Sequence, residues 1–295
     1  MADAFTLQTD ITKRIAVALN RELVIAEAAR PIDRPDALDY ILRGRAALMK
    51  LPTQDSRAAA IALFERALWL EPQSVMAQSW LARALTTRAT DRITTSAGTD
   101  IARAEGLVGK ALAVAPRSAL AHYARGTLLR AQDRFQEAIP EYQMAIEFDR
   151  NWLDAYANLG QSKFYTGSLE EYVPLLEQAI HLSPQDPLIG VWFGRLGLAH
   201  LLQSHIGEAI YWLEKARSTD QELPYIHSRL AAALALNGET DRAKAELAEA
   251  RRLSGDDRYS SIAHLNAEYL GVPKIRALYE EVYFAGLRIA GIPEE

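Results

Sequence analysis

The residues of this 295-residue chain that could do chemistry are few, and their spacing argues against most of it. "GLVGK" (Gly106–Lys110) has the glycines and lysine of a phosphate loop, but it lacks the G-x-x-x-x-G-K-[ST] spacing, and Lys110 is followed by Ala111. The six histidines, His122, His181, His200, His205, His227 and His264, include no H-E-x-x-H. His200 and His205 stand five apart, a poor spacing for one helical face, so surface or packing roles are expected and no metal. Ser204 adjoins His205 without a third partner in view, and no G-x-S-x-G turn occurs, which leaves nucleophilic catalysis little support. Consecutive carboxylates such as Glu170 with Glu171, or Asp256 with Asp257, point in different directions on a helix and suit solvated charge better than acid–base work. "RRLS" (Arg251–Ser254) has the form of a basic kinase site, yet two arginines closing a helix also complement its dipole, and that reading is favoured. The expectation is a protein that is not an enzyme and holds no cofactor.

Composition narrows the class further. With 49% hydrophobic and 24% charged residues the chain has ample material for a core, and 33 basic minus 38 acidic residues leaves a net charge of -5. An acidic molecule lacks the footprint of a nucleic-acid binder. Cysteine is absent, which excludes disulfides and thiolate chemistry and suits a cytoplasmic location. No apolar run approaches the ~20 residues that span a bilayer, and Met1–Asn20 carries Asp3, Asp10, Lys13 and Arg14, so neither signal peptide nor membrane anchor is expected.

The chain is built on a repeat. Aligned on Glu137–Arg150, an alanine column reads Ala67, Ala111, Ala145, Ala179, Ala216 and Ala250, with steps of 44, 34, 34, 37 and 34. Seven residues earlier stand Ala60, Ala104, Ala138, Tyr172, Ala209 and Ala243, and between the two columns a bulky one, Phe64, Val108, Tyr142, Leu176, Leu213 and Leu247. A third small column is Gly44, Ala82, Gly126, Gly160, Gly197 and Ala231. Two short helices with a tight turn make each unit, the turns showing in "AQDRFQEA", "YTGSLEEY" and "LNGETDRA". Small residues at close helix contacts, and Pro72, Pro116 and Pro184 after second helices (Arg150, Gln221 and Gly255 elsewhere), resemble the tetratricopeptide pattern. That resemblance implies an all-α, α-α superhelix (solenoid) of about six helix-turn-helix units with a helical flank at each end. Departures from the period predict enlarged turns at Leu51–Ser56 and Thr86–Thr99, and three extra residues near Pro187.

Residues 1–35 read as an N-terminal helix and linker, 36–257 as the array and 258–295 as C-terminal capping helices. The first flank places Leu7, Ile11, Ile15, Leu19 and Leu23 on one stripe. The last reads as helices over Tyr259–Leu270 and Pro273–Ala290, the second aromatic enough to cap the core of unit six. The blocks "FTLQTDITKRIAVALN", "ARPIDRPDALDYILRGRAAL", "DIARAEGLVGKALA", "RRLSGDDRYSSIA" and "GVPKIRALYEEVYFAGLRIAG" resemble the C-terminal region of rhizobial-type class III adenylate or guanylate cyclase-like multidomain proteins. The first block resembles the end of a TolB-like segment. In such architectures catalysis belongs to a separate head, so no catalytic residue carries over.

In a tetratricopeptide array the first helix of each unit lines the concave face, and its outward positions are free of the core. Those positions hold Ser79, Trp80 and Arg83, Tyr123 and Thr127, Asn158 and Gln161, Arg195, then Tyr225 and Arg229. Aromatics and arginines anchor interfaces, so a protein or peptide partner is expected in this groove, and the arginines favour an acidic one. Arg195 and Arg229 lie one period of 34 apart and should point the same way. The alternatives are a regulatory region of a cyclase-like signalling protein and a homo-oligomerisation module built on the terminal helices.

Overall fold

The computed structural model describes residue 12 and residues 19–50, 53–91, 95–186, 188–267 and 272–295. Among these the regular structure is entirely helical. The chain divides into two compact units, Met1–Ser162 and Lys163–Glu295. Unit 1 opens with α1, helical over its described residues 19–29. It continues with hairpins of α2 (Ala37–Leu48) with α3 (Gln54–Leu70), α4 (Val75–Thr90) with α5 (Ala97–Val114), and α6 (Ala119–Ala131) with α7 (Phe135–Phe148). Helix α8 (Leu153–Tyr165) follows. Unit 2 holds α9 (Leu169–Leu182) and the hairpins of α10 (Ile189–Leu202) with α11 (Ile206–Thr219) and α12 (Pro224–Leu236) with α13 (Thr240–Ser254). It ends with α14 (Ile262–Ala267) and a helix built from α15 (Pro273–Leu278), a π-helical turn (Tyr279–Phe284) and α16 (Ala285–Ala290).

The repeat columns are the core. Every alanine of the main column is at most 1% exposed, and Phe64, Tyr142, Leu176 and Leu213 of the bulky column are fully buried. The glycine column faces that bulky column within the same hairpin. A Cβ added at Gly44 would fall 2.5 Å from the Phe64 ring, and one at Gly126 would fall 2.7 Å from the Tyr142 ring. At Gly197 the same atom would strike Leu213. The glycines therefore set the spacing inside a hairpin.

A second device ties successive hairpins together. The fourth residue of a first helix reaches the backbone carbonyl six residues earlier, in the column where proline recurs. Gln78 Nε2 donates to Pro72 O at 3.0 Å and Tyr156 OH to Arg150 O at 3.3 Å, while His122 Nε2 lies 2.9 Å from Pro116 O and His227 Nε2 3.0 Å from Gln221 O. Both histidines place Nδ1 2.7 Å from a carboxylate on the following helix, Glu141 and Glu246 respectively.

The insertions differ from expectation. The extra residues go only partly into the turns and mostly lengthen helices: α3 has 17 residues and α5 has 18, against 14 in α7. Helix α4 runs 16 residues to Thr90, against 13 in α6. Ion pairs hold the lengthened ends. Arg57 Nε meets Asp91 at 2.7 Å and its Nη1 donates to Leu48 O, while Arg88 forks onto Asp100 at 2.8 and 2.6 Å. Burial of Arg57 and Asp100 excludes competing water, so each charge is kept by its partner.

The flanks are also partly revised. Val24 is buried, whereas Leu19 and Leu23 of the expected stripe are 60% and 58% exposed; Leu7, Ile11 and Ile15 lie outside the described residues. Helix α14 starts at Ile262 instead of Tyr259. Its first free N–H groups are capped by the chain's end, Ile262 N donating to Pro293 O and Ala263 N to Glu294 O, both at 2.9 Å. The terminal helix buries Tyr283, Phe284 and Leu287. Pro187 lies outside the described residues.

Glycines with opposite surroundings give a direct check. Gly106 and Gly109 sit inside α5 with open space around a would-be Cβ, so Gly106→Ala should stabilise the protein by about 0.5–1 kcal/mol through helix propensity. Gly126→Ala should cost about 1–3 kcal/mol, because Tyr142 cannot retreat from a packed core. Urea midpoints shifting in the same direction for both variants would contradict the packing described.

Candidate functional site

In unit 1 the outward positions of the first helices converge on two buried rings. Trp80 is 8% exposed and lies parallel to Phe64, with the guanidiniums of Arg45 and Arg83 at 5.0 and 4.9 Å from its centroid. Tyr123, 2% exposed, stacks on Trp152 at 5.0 Å and also lies under Arg83. Arg83 pairs with Asp154 at 3.0 Å, and Asn158 Nδ2 donates to the Tyr123 hydroxyl at 2.8 Å. Thr127 is buried and donates to Tyr123 O, one turn back on its own helix. Gln161 accepts from Arg130 Nη1 at 3.4 Å. The six expected residues of this half, Trp80, Arg83, Tyr123, Thr127, Asn158 and Gln161, thus share one wall. Its rings and Thr127 are already packed, and the polar groups are already bonded to one another.

Charge in this wall is set by burial. Desolvation opposes the charge on Arg83, but Tyr123 and Asp154 together keep its pKa above the ordinary value. Arg45 goes the other way: burial, then repulsion from Arg83, lowers its pKa. Burial pushes the Tyr123 hydroxyl well above the usual phenol range, against the pull of Arg83, so it serves as a neutral hydrogen-bonding group.

Unit 2 arranges its outward positions differently. Arg195 stands over Trp192 at 5.4 Å, and Arg229 stands over Tyr225 at 4.7 Å and donates to Gly194 O at 3.3 Å. Both arginines act on the buried Tyr172 hydroxyl, whose pKa is pushed up to about 12 by desolvation. The same face of α12 carries the chain's own terminal helix. Tyr283 OH meets Ser228 Oγ at 2.5 Å, and a Cβ at Gly286 would lie 2.5 Å from Ala232 O. Lys274 Nζ donates to Gly167 O at 2.8 Å, in the turn between α8 and α9.

The sequence pattern missed Arg45, Arg130, Trp152 and Asp154. Arg45 follows Gly44 as Arg83 follows Ala82, so the repeat columns already aligned them. Arg130 stands one turn beyond Thr127 on the same face of α6. Trp152 precedes α8 and carries no repeat signal.

These hairpins, with their glycine and alanine columns, define the tetratricopeptide-repeat fold. A tetratricopeptide-repeat family model matches residues 97–155, which include α5, α6 and α7. The chain is similar in structure to Pseudomonas aeruginosa pilF, with TM-score 0.60 and 18% identity over 79% of this chain and 97% of that one. It is also similar to YrrB, described as a tetratricopeptide protein with an unusual peptide-binding site, with TM-score 0.54 and 17% identity over 70% of this chain and 97% of YrrB. A chain of the anaphase-promoting-complex hetero-tetramer Cut9–Hcn1 matches with TM-score 0.64 and 14% identity, over 87% of this chain but 47% of its own length. No curated protein sequence matches.

The other motifs find structural places. "GLVGK" lies within α5 and forms no loop. Arg251 Nε donates to Tyr259 O, Arg252 pairs with Glu249, and α13 closes on Gly255 in the left-handed conformation. Among the described residues no group of three His, Asp or Glu side chains could hold a metal, and no helix is long and apolar enough to cross a membrane.

His200 and His205 do approach, with ring centroids 5.8 Å apart, and neither His200 nitrogen finds a hydrogen-bond partner. Burial first, then His205, lowers the His200 pKa below the ordinary 6.5. A base that resists protonation only when folded contributes stability above its unfolded pKa, and that contribution is lost as pH falls below it. His200→Gln should therefore flatten the loss of urea resistance between pH 7.5 and 5.5; a pH profile parallel to that of the parent would refute the assignment.

Proposed function

We propose that the chain is a protein-interaction scaffold without chemistry of its own, which binds a protein or peptide segment on the outward faces of its first helices. The observation that carries this is the wall of unit 1. Trp80 and Tyr123 are packed into the core, and around them the first helices bring together Arg83, Asn158 and Asp154, with Gln161 beside Arg130. Guanidinium and amide groups on a rigid aromatic floor suit an extended backbone with its carboxylates. Arg195, Tyr225 and Arg229 offer the same chemistry in unit 2, where a partner would meet the terminal helix as a neighbour. The likeness to YrrB supports a peptide ligand.

Hydrogen exchange on the full chain, with and without a partner captured from lysate, tests the face. Protection should fall on α4, α6 and the start of α8; protection confined to α3, α5 and α7 would remove the proposed wall from consideration. The purified chain should neither hydrolyse nor cyclise ATP or GTP with magnesium or manganese, and turnover that follows the protein peak through repurification would overturn the non-catalytic reading.

A further inference from the structure

Helix α1 carries an apolar stripe on its outer side. Its inner side is fixed near both ends. Val24 is buried, Asn20 Oδ1 accepts from Arg45 Nη2 at 3.2 Å, and just past the helix Arg30 O accepts from Arg43 Nη2 at 3.1 Å, both donors lying on α2. The opposite face holds Leu19, Leu23 and Ala26, four and three residues apart on one stripe, and all three are exposed. A surface helix ordinarily turns such a stripe toward the core and leaves charge outside. Turning α1 over would break both ties to α2 and expose Val24. Between Leu19, Glu22, Leu23 and Ala26 lies an open apolar hollow, which Asn20 also lines. Residues at i, i+3, i+4 and i+7 are the four that make the hole for one side chain of a second helix in knobs-into-holes packing. The hollow therefore has the form that receives a helix, and the same face supplies leucines of the kind that would enter it.

We propose that α1 is a homodimerisation helix, whose hollow receives a leucine of the stripe from α1 of a second copy and gives one in return. Such an exchange is isologous: one face meets its own copy, and no second surface is required. A lipid surface is the main competitor for an exposed apolar stripe. Helices that lie on lipid surround the stripe with lysine and arginine. Here the charged group lining the hollow is the Glu22 carboxylate, in a molecule of net charge -5. Size sets the strength of the contact. Leu19, Leu23 and Ala26 supply less than the about 800 Å² that a stable interface takes from each partner. In the sequence the four-residue step continues back through Ile15, Ile11 and Leu7, which lie outside the described residues. The contact is accordingly modest, and dimer and monomer exchange with concentration. The proposal uses a helix outside the wall of unit 1 and does not rest on the scaffold reading.

The test is sedimentation velocity of the full chain from about 1 to 200 µM, a range suited to a small two-helix contact. The mass should rise from one chain toward two across it. The Leu19→Asp, Leu23→Asp double variant should stay monomeric at every concentration while keeping the parent's helical circular dichroism, because both side chains are exposed and the inner side of α1 is untouched. Val114→Asp, at an equally exposed residue that closes α5 outside the hollow, should dimerise as the parent does. The chain has no cysteine, so introduced thiols are the only sites of disulfide formation. An equimolar mixture of Leu19→Cys and Leu23→Cys, which allows every pairing of the two positions, should give covalent dimers on mild oxidation, and Val114→Cys should not. This arm reports even if the charged double variant fails to fold. A parent chain that remains monomeric across the range would overturn the assignment, and its co-sedimentation with vesicles of phosphatidylcholine and phosphatidylserine would then give the face to lipid. A folded Leu19→Asp, Leu23→Asp variant that dimerises unchanged, or cross-linking no faster than that of Val114→Cys, would overturn it as well. None of these results bears on whether the first helices bind a protein or peptide.

Discussion

A single steric constraint underlies the structure: in three of the hairpins a bulky side chain on the second helix rests on the bare backbone of a glycine in the first. Phe64 on Gly44, Tyr142 on Gly126 and Leu213 on Gly197 fix how far apart the two helices stand. That distance decides where the flanking alanines must lie, and hence which residues face away from the core. A methyl group in the wrong place is felt because packed interiors have no slack to absorb it.

The first-helix positions beside the repeat columns serve core and surface together, and the two units use them differently. In unit 1 they hold a charged and aromatic wall, partly neutralised from within by Asp154. In unit 2 an amphipathic helix of the same chain covers α12, using Tyr283 and Gly286 as its closest contacts. The ends of the helical hairpins are secured separately, by side chains that grip loop carbonyls. Since a carbonyl is common to every residue, Pro116, Arg150 and Gln221 serve equally well as the gripped position.

The fold was legible because its signals are local. Small and large residues recur at fixed spacing, and that spacing is dictated by helix geometry. The insertions misled for the same reason: a count of added residues between Ala82 and Ala104 cannot tell a longer loop from two longer helices, and the deciding pairs, Arg57 with Asp91 and Arg88 with Asp100, join different elements. At the candidate site, position along the repeat identified the wall, while its state was hidden. Arg83 looks free in the sequence, and its carboxylate partner lies 71 residues away at Asp154. Trp152 gives no periodic signal at all.

The contact between Lys274 and Gly167 closes a stretch of 107 residues, whereas most ties within the hairpins span fewer than forty. Chain order therefore becomes assembly order. On a ribosome, the hairpins of unit 1 can close as soon as each emerges, since short-range contacts form quickly and need little loop closure. Unit 2 must wait, with the outward face of α12 bare, until its last helix has been made. For that interval the nascent chain exposes the side of α12 that Tyr283 and Gly286 later cover, and it is then that a chaperone would find something to hold.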